Sequence, residues 1–132
     1  MKIKGADGFI KFALGENVKQ SNWGNFNTIR FPQTRMGVEQ VFYDAFYRAR
    51  AYQEAWEKYN SLPIFKKRKT SPPREDLELN ALVEILNSKR FITCHSYVQS
   101  EINMLMHVAD SMDFTINTFT HILEGYKIAD KM

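Results

Sequence analysis

The sequence predicts an α/β fold built on a parallel sheet. Short apolar runs suited to buried strands recur at residues 9–14, 91–94 and 114–119. Stretches with helical apolar spacing separate them, the first much longer than a simple crossover needs. Strands alternating with helices imply parallel pairing and right-handed connections.

The first run is Phe9-Ile10-Lys11-Phe12-Ala13-Leu14, with Gly5 and Gly8 before it and Gly15 after it. Glycine-bounded apolar runs of this length suit a buried strand, and one lysine interrupts this one. Residues 16–35 read as a loop, because Gly24, Pro32 and the asparagines at 17, 22, 25 and 27 favour turns. Val38, Val41, Phe42, Ala45, Phe46, Ala49, Tyr52, Ala55, Trp56 and Tyr59 then follow three- and four-residue steps. That spacing lays one apolar stripe along a long helix, which Asn60, Ser61 and Pro63 stop.

Residues 66–73 form a charged linker ending in Ser71-Pro72-Pro73, where proline resists a helix interior. Leu77, Leu79, Leu82, Val83, Ile85 and Leu86 give a second helix its apolar face, and Asn87-Ser88 ends it. Phe91-Ile92-Thr93-Cys94 reads as the second strand, running into His95. Ile102, Leu105, Met106, Val108, Ala109 and Met112 mark the inner face of a third helix. A third strand is expected over residues 114–119, just before His121, and a final helix from about Tyr126. The whole chain, 1–132, reads as one domain with a helical insert at about 36–88. Three strands cannot close a barrel, and an open sheet of three leaves its edges bare, so self-association through those edges is expected.

Composition narrows the classes. With 44% hydrophobic and 14% aromatic residues, the chain has ample material for a core and is not of the disordered type. The net charge of +3 is too small to demand a polyanionic partner. A single cysteine, Cys94, excludes an internal disulfide and says nothing of compartment. No stretch approaches the roughly 20 apolar residues of a membrane helix, and the first residues do not resemble a signal peptide. Neither a membrane nor a nucleic-acid partner is expected, and localisation stays open. The run Lys66-Lys67-Arg68-Lys69 supports an alternative, a basic module for nucleic acid or another anion, but no aromatic platform interleaves with it. A structural remnant without metal is a further alternative.

The two histidines at strand ends carry the most chemistry. In parallel α/β folds, sites form at the carboxyl ends of the strands, and His95 and His121 end successive strands. Neutral imidazole is a good ligand for zinc and similar ions. His107 lies in mid-helix among Met104, Leu105 and Met106, where a packing or surface role fits better. Lys11 is the third candidate, since a charge within a buried strand is costly unless paired or functional. A neutral lysine amine can take up carbon dioxide as a carbamate, an anionic ligand able to bridge two metal ions. A lysine at an exposed strand position, or paired with Asp7 or Glu16, is the other reading of the same pattern.

Three segments together resemble the amidohydrolase superfamily, and most closely its imidazolonepropionase-like members: Gly5-Ala6-Asp7-Gly8-Phe9-Ile10-Lys11-Phe12, Thr93-Cys94-His95-Ser96-Tyr97 and Thr120-His121-Ile122-Leu123-Glu124-Gly125. The resemblance implies strands four to six of a TIM-type (β/α)8 barrel. It implies that Lys11 is carboxylated and bridges two divalent ions, with zinc the expected metal, and that His95 and His121 bind one of them. It also implies hydrolysis of an amide or other C–N bond in a small or peptide-like substrate by metal-activated water. Lys19 is a weaker choice for the bridge, as it lies in the loop beyond the strand, and Glu16 is a further possibility, since some members of the family use a glutamate there. Loop residues Trp23, Arg30, Arg35 and Tyr97 are candidates for substrate binding, arginine because its fork matches a carboxylate. The family's His-x-His pair occurs nowhere in these 132 residues, and its strand-eight aspartate is missing. The chain is therefore expected to be one section of a longer protein, inactive alone and completed by the rest of its parent.

Overall fold

The computed structural model describes residues 5–19 and 31–132, apart from the side chain of Asn17. Trp23 and Arg30 lie outside the described residues. The strands are β1 (Gly8–Ala13), β2 (Arg90–His95) and β3 (Thr118–Thr120). They form one parallel sheet in the order β1-β2-β3. Between β1 and β2 lie α1 (Arg35–Asn60), the short α2 (Ile64–Lys67) and α3 (Leu77–Leu86), while α4 (Gln99–Met112) joins β2 to β3. An α/β chain with a parallel three-stranded sheet is compatible with part of a barrel.

Local signals explain the helix starts. Thr34 caps α1, its hydroxyl accepting from the Gly37 N–H at 3.1 Å. Asp76 caps α3 by accepting from the N–H groups of Glu78 and Leu79, each at 3.0 Å. The helical insert is not a detached appendage. Its α1 stripe packs on the sheet through Val38, Phe42 and Phe46, and Phe46 stacks on Phe114 at 4.3 Å between ring centroids. Farther along α1, the Tyr52 hydroxyl donates to Asn80 of α3 at 2.9 Å. Within the basic run, the Lys67 ammonium stands 5.5 Å from the centre of the Tyr59 ring.

The strand register separates two faces. Ile10 pairs with Ile92, Phe12 with Cys94, and Cys94 with Phe119, and these side chains join the helices in the core. Phe9 pairs with Phe91, Lys11 with Thr93, Ala13 with His95 and His95 with Thr120, which form the opposite face. That second face is largely open among the described residues. Phe9 is 65% exposed, although its ring meets Phe91 at 5.4 Å.

The end of the chain departs from the sequence expectation in two places. The third strand covers Thr118–Thr120 rather than residues 114–119. Asp113 turns α4 off in a left-handed conformation at φ 51°, and Phe114 then drops into the helical core. The Asn117 side chain accepts from the Ile92 N–H at 2.7 Å and occupies the place of a ladder partner. The expected final helix is a 3₁₀ segment, Gly125–Lys131, broken where Ile128 leaves helical angles.

Candidate functional site

The carboxyl ends of β1 and β2 and the residue just past β3 meet at one corner of the sheet. Ala13, at the end of β1, pairs with His95, and the chain runs on so that the Leu14 N–H donates to the His95 carbonyl at 2.9 Å. On the other side, the Ser96 N–H donates to the Thr120 carbonyl at 3.2 Å. These main-chain bonds carry the pairing beyond the strands and place His95 between its neighbours.

Two of the three sequence candidates are together. The rings of His95 and His121 lie 4.9 Å apart, centroid to centroid. Tyr97 closes the other side of His95 with an edge-on contact at 4.7 Å. His95 is only 8% exposed, and its Nδ1 is buried without a hydrogen-bond partner among the described residues. Leaving a buried polar atom unpaired costs about 1–3 kcal/mol, so such an atom calls for an explanation. His121 is exposed and has a left-handed backbone at φ 59°, a region where histidine is among the tolerated residues. Its carbonyl accepts from the Leu123 N–H at 2.9 Å, which holds the turn.

Lys11 lies on the same sheet face as His95 but two residues earlier than His95's register partner, about 7 Å down the strand. It is exposed, in line with the exposed strand position that the pattern also allowed. The reason is the two-residue alternation, which puts Lys11 with Phe9 on the open face and gives the core to Ile10 and Phe12. His107 is on the exposed side of α4, as its mid-helix position suggested. Among the described residues, no group of three or more His, Cys, Asp and Glu side chains converges as a metal site.

An ionic cluster that the sequence reading did not single out lies beside this corner. Glu101, in the first turn of α4, is 3% exposed. Its Oε1 accepts from Lys19 Nζ at 2.9 Å and from Arg35 Nε at 3.3 Å, and its Oε2 accepts from Ser96 Oγ at 3.2 Å. Lys19, itself buried, also donates to Glu16 at 2.8 Å. Lys19 and Glu16 are thus bound to each other. Burial alone would raise the Glu101 pKa, but the hydrogen bonds from Lys19 and Arg35, the Lys19 charge and the Ser96 hydroxyl together bring it below the usual carboxylate value. The signal was present in the pattern: Glu101 shares the buried stripe of α4 with Leu105, Val108 and Met112. Arg35 is anchored at its Nε while the side chain stays 56% exposed, so the outer part of the guanidinium is available at the surface.

The crystal structure of an amidohydrolase from Thermotoga maritima MSB8 is similar to this chain, with a TM-score of 0.76 and 25% sequence identity. The match covers 98% of this chain and 31% of that chain. It supports the amidohydrolase superfamily at a coarse level, and this chain spans less than a third of that protein's length. No family model matches, and no curated protein matches.

Proposed function

We propose that this chain supplies one section of a metal-dependent hydrolase of the imidazolonepropionase-like kind, corresponding to strands four to six of a TIM-type barrel. The observation that carries the reading is the His95–His121 pair at the strand ends, 4.9 Å apart, with His95 Nδ1 buried and unpartnered among the described residues. The donor set fits a divalent ion, zinc first, because imidazole nitrogens suit it and an unpaired buried nitrogen would gain a partner. His95 and His121 would hold one ion, and Lys11 would bridge to a second as its carbamate. When bound, the metal supplies an activated water and polarises the scissile carbonyl of an amide or related C–N bond. Tyr97 packs against His95 and limits the volume beside it. Arg35 would receive a substrate carboxylate on its free edge, its other edge being fixed by Glu101. Trp23 and Arg30 complete the proposed substrate-binding set from the loop. The rest of the parent chain would provide the remaining ligands and the base, so the isolated polypeptide would show no turnover.

Zinc titration of the chain, followed by the imidazole ¹⁵N signals, tests this. His95 and His121 should shift together at zinc levels that leave His107 unmoved, and Lys11→Ala should weaken binding in the complete protein. Equal response of all three histidines would remove the reading.

A further inference from the structure

Ser96 occupies the junction of the histidine-bearing strand ends. It follows His95 directly, it is fully buried, and its N–H is bonded to the carbonyl of Thr120, the residue before His121. This bond extends the β2–β3 pairing, and with the Glu124 N–H to Tyr97 carbonyl bond at 3.0 Å it links the two histidine-bearing segments. The Ser96 side chain points the other way along the network and donates to Glu101.

We infer that Glu101 is a positioning residue for the histidine pair: its carboxylate grips Ser96 and so fixes where His95 and His121 stand relative to each other. Three cross-links converge on this one carboxylate. Lys19 brings in the segment after β1, Arg35 brings in the start of α1, and Ser96 brings in the ends of β2 and β3. A carboxylate suits the position better than an amide. Its two oxygens accept all three donors at once, and its charge matches a lysine that is 6% exposed. Removing either end of the Glu101–Ser96 link frees Ser96 to shift, and the imidazoles on both sides shift with it. The role in metal binding rests on the function proposed above, whereas the effect on ring geometry does not.

The test compares the wild-type 132-residue chain with Ser96→Ala and Glu101→Gln by ¹⁵N-histidine NMR, with unfolding midpoints recorded in parallel. Ser96→Ala cuts the link while leaving the Lys19–Glu101 pair whole, so it decides the matter if Glu101→Gln fails to fold. The expected result is that the His95 and His121 ring signals move or broaden in the folded variants while His107 keeps its position. Zinc affinity of the pair should fall about tenfold, as it does when a ligand's supporting contact is lost. Folded Ser96→Ala with His95 and His121 signals at wild-type positions would overturn the inference. If the wild type shows no selective zinc response, the proposed function fails, and the ring signals still decide the role of Glu101.

Discussion

The Tyr97 ring fills the space where a side chain on Gly15 would stand, at the ends of β1 and β2. A Cβ built on Gly15 would come within 3.1 Å of Tyr97 Cδ2 and within 3.5 Å of His95 Cε1. What limits the residue here is close approach, since its backbone angles are ordinary extended ones. Gly15→Ala should be tolerated with a small shift of the Tyr97 ring. Gly15→Val should cost about 1–3 kcal/mol, as overpacking does, and separate Tyr97 from His95. Urea unfolding checks the first effect, and ring-to-ring nuclear Overhauser contacts check the second.

Phe46 is the centre of the helix–sheet core. It is fully buried, stacks on Phe114 at 4.3 Å, and meets Phe12 of β1 edge-on at 6.5 Å. Phe46→Ala should destabilise the chain by about 3–5 kcal/mol, measured by denaturant unfolding. Tyr47, the next residue, is 59% exposed, and Tyr47→Ala should fall within about 0.5 kcal/mol of wild type.

Much of this architecture was legible. The glycine-bounded run gave β1 almost to the residue, and the apolar stripe from Val38 to Tyr59 gave α1, because long amphipathic periodicity leaves few alternatives. The start of the third strand was not, since Phe114 and Ile116 are apolar for the sake of the helical core rather than a ladder. At the site, His95 and His121 could be placed at strand ends, but their mutual approach depends on the β2–β3 pairing and its main-chain extension through Ser96 and Thr120. For Lys11 the pattern leaves the buried and exposed readings open, because it shows period, not which face the helices cover. Glu101 was passed over because its partners Lys19, Arg35 and Ser96 are distant in sequence or look like loop residues.

The lone thiol should be inert in the native chain. Cys94 is fully buried, and burial, helped by the charge of Glu101, pushes its pKa up to about 12. A raised thiol pKa means that the native state keeps its proton where the unfolded chain would lose it, so reactivity and unfolding are coupled above about pH 8.5. A thiol-labelling time course should show no reaction at neutral pH and prompt reaction in urea. Fast native labelling would contradict this environment.

The open sheet face should make the isolated chain self-associate. Phe9 and Phe91 meet at a tilt on that face, with Phe9 largely exposed beside Lys11. Exposed apolar sheet surface and bare strand edges favour contact with another copy. Sedimentation should report concentration-dependent association, and Phe9→Lys should reduce it. A strictly monomeric wild type across the accessible concentration range would contradict the expectation.

Acid should weaken the fold through Glu101. Burial opposes its charge, but Lys19, Arg35 and Ser96 outweigh that and hold its pKa below the ordinary value. A carboxylate depressed in the folded state contributes stability above its unfolded pKa, and that contribution disappears as pH falls through the folded value. Glu101→Gln should therefore be less stable than wild type at neutral pH, with the gap narrowing on the acid side. Unfolding midpoints taken from about pH 7 down to about pH 3 would show the two curves converging. A gap of constant size across that range would mean that the carboxylate's charge has no part in the Glu101 contribution, and that shape alone accounts for the loss.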